Sequence, residues 1–297
     1  MTHKSGFVSI IGKPNVGKST LLNAILGQKL SITTPKAQTT RHRIKGILNE
    51  ENYQIVFSDT PGIMKPAYLL QEKMMNFVQE SLVDADVVVF LSDKEEAYLD
   101  EELKAKLKAI TVPLIVVINK IDLSSQGEIA KLIAGWKKHI HPHAILPISA
   151  TENFNLNVLK ELLVTLLPEA PPYYNKEEVS DLHLRFFAAE IIREKILMHF
   201  DKEIPYSVQV EIESFKEEET RTHIVATIYV ERDSQKGILI GHKGEGIKRI
   251  GMEARKDIST FIGRNVHLEN FIKVEKEWRK LESKLKAFGY NTGSGTK

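Results

Sequence analysis

Apolar and polar positions fall into two regimes along this chain. Through the first 167 residues, short apolar runs alternate with stretches in which apolar residues recur at helical spacing. Phe7–Ile11, Tyr53–Ser58, Val87–Leu91, Pro113–Ile118 and Ala144–Ile148 read as strands. The three last-named runs are almost unbroken, as strands buried on both faces require. Thr20–Leu26, Tyr68–Leu82, Leu99–Ile110 and Val158–Leu167 read as helices, and Ile44–Asn49 pairs with Tyr53–Ser58 as a hairpin. Strands alternating with helices predict an α/β unit with a mostly parallel sheet and helices on both faces.

Three prolines between Pro168 and Pro172 break this rhythm and predict a short stiff linker. Beyond it the pattern changes. A long amphipathic helix is predicted over Leu182–Phe200, then strands over Ser207–Ile212 and Ile224–Val230. A short helix ends at Ile240, a second runs from Glu245 to about Ile262, a third strand covers Val266–Val274, and a closing helix covers Lys276–Phe288. The expected division is residues 1–168, a linker at 169–180, a second domain at 181–290 and a flexible tail at 291–297.

The polar residues that matter sit at strand ends, where open α/β sheets bind ligands. After the first strand comes Gly12-Lys13-Pro14-Asn15-Val16-Gly17-Lys18-Ser19, a G-x-x-x-x-G-K-S phosphate loop that runs into Thr20 and a helix. Backbone N–H groups there can cradle phosphate oxygens, helped by the helix dipole. Lys18 can reach the β- and γ-phosphates, and the Ser19 hydroxyl can ligate Mg²⁺. Lys29–Arg43 is sparse in apolar residues and reads as a mobile loop; Thr40, or its neighbour Thr39, could complete the metal shell. The third strand ends in Asp59-Thr60-Pro61-Gly62, whose carboxylate can hold Mg²⁺ and whose glycine lets the backbone approach the γ-phosphate. Lys18, Thr40 and Gly62 are the residues expected to act on the reacting phosphate. Ile63, which follows Gly62, cannot orient an attacking water by hydrogen bonding, so intrinsic hydrolysis should be slow, or use another group or the substrate's own oxygens.

Base choice resides in Asn119-Lys120-Ile121-Asp122. The Asp122 carboxylate can accept from guanine N1–H and the exocyclic amine, two donors that adenine lacks, and an unpaired buried carboxylate discriminates by roughly 10⁴ or more. Ser149-Ala150 follows the last strand, with the Ala150 N–H expected on guanine O6. In this order the pieces resemble the Ras-like GTPases, which implies GTP and GDP as ligands with Mg²⁺. Asn15 either shapes the loop or helps hold K⁺ near the phosphates; the sequence supports both readings equally.

In the second half, Gly241-His242-Lys243-Gly244 lies between two helices. A G-x-x-G loop so placed resembles KH domains, here the type II arrangement with an extra helix and strand in front, and implies a clamp on single-stranded RNA. The fold class is therefore a Ras-like P-loop GTPase domain followed by an α+β type II KH domain. Ile238, with Leu239 and Ile240, would floor a groove for bases. Between Lys236 and Arg264 seven lysines and arginines stand against three acids, and Lys243, Lys248, Arg249, Arg255 and Lys256 are candidate phosphate contacts.

Bulk composition narrows little further. A net charge of +2 over 297 residues gives no global basic field, so any basic surface is local. The absence of cysteine excludes disulfides and thiolate metal sites. Met1–Gly6 runs straight into the first strand with no signal peptide expected, and no apolar run approaches the ~20 residues that span a bilayer.

The combination of G-K-P-N-V-G-K-S, Q-T-T-R-H (Gln38 to His42), D-T-P-G, N-K-I-D and G-H-K-G resembles the Era-type family of bacterial GTPases over essentially the whole chain. That resemblance implies a cytoplasmic GTPase that assists small (30S) ribosomal subunit assembly and binds the 3′ end of 16S rRNA; the sequence gives no clear dimer seam, so a monomer is expected. The resemblance also implies peripheral association with the cytoplasmic membrane. Two other readings stand beside it: a GTP-binding RNA scaffold with little turnover, which Ile63 favours, and an ATP-using RNA enzyme, which Asp122 disfavours.

Overall fold

A computed structural model describes residues 2–93 and 101–290. Two compact units emerge. The first comprises Met1–Ser31, Thr40–Lys65 and Met74–Asp181; the second comprises Leu182–Lys297 together with two stretches from the chain's first half, Ile32–Thr39 and Pro66–Lys73.

The first unit holds a six-stranded sheet in the order β2-β3-β1-β4-β5-β6. Its strands are β1 (Lys4–Ile11), β2 (Ile44–Asn49), β3 (Tyr53–Asp59), β4 (Val87–Ser92), β5 (Leu114–Ile118) and β6 (Ala144–Pro147). All neighbours pair in parallel except β2 with β3, the expected hairpin. The strands with unbroken apolar runs, β4 and β5, are buried at every residue, as layers on both faces demand. The helices are α1 (Lys18–Leu26), α2 (Leu69–Val83), α3 (Glu101–Lys108), α4 (Gln126–His139) and α5 (Leu156–Leu166). Of the helix expected over Leu99–Ile110, Leu99 and Asp100 lie outside the described residues, as does the tail at 291–297. Helix α4 has no counterpart among the elements that the sequence pattern predicts. Ser125 and Glu128 cap its start reciprocally, and Trp136 packs against Phe90 with ring centroids 5.3 Å apart.

The segment expected as a linker is strapped to the first unit. Glu169 bridges to Lys4, and the Ala170 N–H donates to the His3 carbonyl (3.1 Å). Fully buried Gln54 accepts from the N–H groups of Tyr173 (2.7 Å) and Tyr174 (3.0 Å) and donates back to the Tyr174 carbonyl (2.8 Å). Farther along, the Ile47 N–H donates to the Val179 carbonyl (2.9 Å) and the Ser180 hydroxyl to the Lys45 carbonyl (2.6 Å). β2 is the edge strand, so its outward backbone groups need partners, and the strap supplies them.

The second unit contains α6 (Leu184–His199), α7 (Ile204–Ser207), β7 (Gln209–Glu217), β8 (Arg221–Val230), α8 (Asp233–Ile240), α9 (Glu245–Ile262), β9 (Asn265–Val274) and α10 (Glu282–Ala287). β7 and β8 are antiparallel, and β9 adds to β8 in parallel. Helices α6, α8 and α9 close over the sheet around Ile192, Ile196, Ile228, Leu239, Ile250 and Ile258. The single closing helix expected over Lys276–Phe288 is broken. Glu277 takes a left-handed conformation (φ 52°), one 3₁₀ turn follows at Trp278–Lys280, and only then does α10 begin. The break seats the fully buried Trp278, whose indole N–H donates to the Ser207 carbonyl (2.9 Å).

Candidate functional site

The nucleotide-site residues converge at the carboxyl ends of β1, β3, β5 and β6. The phosphate loop leaves β1 and enters α1 through Gly17 (φ 99°). Lys18 is buried, and its ammonium donates to the carbonyls of Gly12 (3.1 Å) and Lys13 (2.8 Å), which stretches the side chain back over the loop. Gly62 lies against Pro14 so closely that a Cβ there would sit 2.7 Å from the Pro14 backbone; the neighbouring Ile63 N–H donates to the Gly12 carbonyl (2.9 Å). The Thr60 hydroxyl donates to the Ile10 carbonyl (2.8 Å), fixing the turn through Pro61. The Ile63 side chain packs toward the core around Phe90 and offers no polar group.

Ser19, Thr40 and Asp59 form one cluster. The Ser19 hydroxyl lies 2.6 Å from Asp59 Oδ2 and 2.9 Å from the Thr40 hydroxyl, which is itself 3.5 Å from Asp59 Oδ2. Thr39 is turned away, with its hydroxyl bonded to Thr34 (2.6 Å) and to the Lys36 carbonyl (2.6 Å). Burial pushes the Asp59 carboxyl above its ordinary range, while the Ser19 hydroxyl and the Lys18 charge pull it down. Asp59 Oδ1 is buried with no hydrogen-bond donor in reach by geometry, although the nearby Ser31 hydroxyl also favours the charged form. Two hydroxyls and a carboxylate with an unsatisfied oxygen suit a small hard cation.

The base-site loops are tied to the phosphate loop. Asn119 donates to the Val16 carbonyl (2.9 Å) and accepts from the Ala150 N–H (3.0 Å). Lys120 donates to the Asn15 carbonyl (2.7 Å) and pairs with Asp93 (2.8 Å). Ser149 donates to Asp122 Oδ1 (2.6 Å), which orients that carboxylate. The Ala150 N–H expected on guanine O6 is thus engaged by Asn119 and would have to be shared. Asn15 sits at φ 64°, a conformation asparagine tolerates better than most residues, which accounts for it as a loop-shaping residue. Asp93 carried no motif; its role follows only from its place at the end of β4.

The G-x-x-G loop forms a single turn between α8 and α9. Gly241 (φ 70°), Lys243 (φ 48°) and Gly244 (φ 82°) all have positive φ, and His242 and Lys243 are exposed. Gly246, in the first turn of α9, has its missing Cβ position 2.5 Å from the Leu239 carbonyl, so glycine lets the two helices meet there. Ile238 is 49% exposed and Ile240 half-buried, whereas Leu239 lies wholly in the core; only the outer two can floor a groove. Lys248, Arg249 and Arg255 are exposed on α9, with Arg249 Nε held by Glu253 (3.1 Å).

Residues 7–120 match the family model described as 50S ribosome-binding GTPase, and residues 203–279 match the KH domain model. A crystal structure of Era in complex with MgGDPNP and nucleotides 1506–1542 of 16S ribosomal RNA superposes with a TM-score of 0.93. It is 42% identical, over 97% of this chain and 99% of that one. The chain belongs to the Era family. A variant of Aquifex aeolicus Era bound to GDP·AlF4⁻ gives the same TM-score of 0.93 and 42% identity, over 97% of this chain and 99% of that chain. As a member of the Era family it is a GTPase with a Ras-like domain followed by a KH domain. The partial model's description names the 50S particle, while the Era match spans nearly the whole of both chains and is the more specific of the two.

Proposed function

We propose that this protein is a GTP-hydrolysing switch that binds the 3′ end of 16S rRNA and assists maturation of the small ribosomal subunit. The reading places GTP and GDP within residues 1–168 and RNA within 181–290. The observation that carries it is the whole-length likeness to Era held with MgGDPNP and 16S rRNA nucleotides together; the cluster of Ser19, Thr40 and Asp59 and the turn through Gly241–Gly244 support it.

In this reading the N–H groups of Lys13 and of Asn15 to Thr20 cradle the phosphates, Pro14 having none to offer. Lys18, drawn over the loop by the Gly12 and Lys13 carbonyls, neutralises charge on the β- and γ-phosphates. Ser19, Thr40 and Asp59 hold Mg²⁺, which when bound supplies positive charge to the phosphate oxygens. Asp122 accepts from the guanine edge, and Asn119 keeps the base and phosphate loops in register. Ile63 contributes no hydrogen bond to the attacking water, so turnover is slow until another group or the RNA assists. Asn15 has a second proposed role as a K⁺ ligand; exchanging K⁺ for Na⁺ should then slow hydrolysis, and equal rates in both salts would leave it a loop-shaping residue only.

Gly241–Gly244 clamps the RNA backbone, with Lys243, Lys248, Arg249 and Arg255 on phosphates and Ile238 and Ile240 under the bases. The proposal extends to a monomer and, by the family resemblance, to peripheral contact with the inner face of the membrane. Among the described residues no helix is long and apolar enough to cross one. Vesicle flotation and light scattering test those two points.

The central test is multiple-turnover hydrolysis of GTP and ATP, with and without an oligonucleotide of the 16S 3′ end. GTP-selective turnover raised by RNA is expected. Binding of GTP without turnover under either condition would establish the scaffold reading instead. Uptake of ADP in preference to GDP would reject both.

A further inference from the structure

Helix α6 carries four buried ionisable residues, Glu190, Arg193, Glu194 and Lys195. Buried charges need partners, and these look in two directions. Arg193 is 1% exposed. One edge of its guanidinium meets Glu190, with Nε to Oε1 at 2.7 Å and Nη2 to Oε2 at 2.5 Å. The other edge donates to two successive backbone carbonyls, Nη1 to Gln38 (3.5 Å) and Nη2 to Thr39. On the same helix Glu194 accepts from the Thr33 N–H (3.1 Å). Where α6 ends, the Lys36 ammonium donates to the Phe200 carbonyl and pairs with Asp201 (2.8 Å).

The stretch Ile32–Thr39 is therefore held along its length, and its last residue precedes Thr40 directly. Gln38 adopts φ 60°, unfavourable for a side chain of its kind, so its surroundings must hold it there. Arg193 grips its carbonyl, and the Tyr68 hydroxyl donates to its side-chain oxygen (3.1 Å). In the other direction, Lys195 pairs with Asp257 and His199 lies 2.6 Å from Glu253, both on α9, the helix that starts at the G-x-x-G loop.

We propose that Arg193, oriented by Glu190, is a positioning residue for the nucleotide site, and that α6 links the placement of Thr40 to the RNA-binding helix α9. This rests on the GTPase reading above and assigns its coupling to one side chain. Only a planar fork can serve a carboxylate on one edge and two carbonyls on the other; lysine, a point charge, can satisfy Glu190 but not both carbonyls.

The test uses full-length protein carrying Arg193→Lys, which keeps the buried charge opposite Glu190, and separately Glu190→Gln. GDP affinity should stay within about twofold, while the Mg²⁺ needed for half-maximal hydrolysis rises about tenfold and kcat falls more than KM changes. In the same variants a 16S 3′-end oligonucleotide should bind the GDP and GTP-analogue forms alike, whereas the unaltered protein distinguishes them. Normal GDP binding with an unchanged Mg²⁺ midpoint and an intact RNA difference would reduce Arg193 to a packing residue and overturn the proposal. Loss of GDP binding in both variants would likewise make it a residue of the fold alone. Failure of the unaltered protein to bind GTP or the oligonucleotide would instead bring down the underlying reading.

Discussion

At the scale of single residues, hydroxyl placement separates Thr40 from Thr39. Thr40 joins Ser19 and Asp59, and Thr39 bonds within its own loop. Thr40→Ala should therefore raise the Mg²⁺ requirement for hydrolysis at least about tenfold, and Thr39→Ala by no more than about twofold. A magnesium titration of turnover checks both. Asp122→Asn replaces the acceptor proposed for guanine's two donors with an amide. GDP affinity should drop by about 100-fold or more, and xanthosine diphosphate, with a carbonyl at the same edge, should gain; competition binding decides. These residues were legible because each chemistry admits few residue types at a set spacing from a strand end. Arg193 and Asp93 were not. An arginine on an amphipathic helix reads as solvated, and only the fold reveals that it is 1% exposed. Asp93 gains its meaning from Lys120, 27 positions away.

Among the elements, the strand–helix alternation of the first unit was readable nearly throughout, because buried parallel strands leave unmistakable apolar runs. Helix α4 leaves no such signal, because it buries only Leu132 and Trp136 along its length, too thin a stripe to announce a period. The closing helix is shorter than its composition predicts for a different reason. Lys276–Phe288 has helical composition, but the need to bury Trp278 breaks it at Glu277, a tertiary demand that overrides local preference. The junction of α8 and α9 gives a prediction at this scale. Gly246→Ala places a methyl 2.5 Å from the Leu239 carbonyl, so the helices must part. The second unit should lose about 1–3 kcal/mol of stability, seen as a lower calorimetric midpoint, and RNA affinity should fall with it.

For the whole molecule, the two proposed ligands are bound by one thermodynamic cycle. If the GTP analogue tightens the 16S oligonucleotide by some factor over GDP, the oligonucleotide must tighten the analogue over GDP by the same factor. Paired titrations should agree within about twofold, and independent affinities would dismiss the switch. The stretch from Glu169 to Asp181 carries a more practical lesson. Its prolines and tyrosines read as a spacer, yet it is hydrogen-bonded to the unit throughout, and its last residues, Glu178 to Asp181, lie along β2, the outermost strand of the sheet. A fragment of the amino-terminal unit trimmed at Leu167 would leave that strand's rim bare, an invitation to intermolecular sheet growth and precipitation. Cut after Asp181, the same fragment keeps its own selvedge and should stay dispersed.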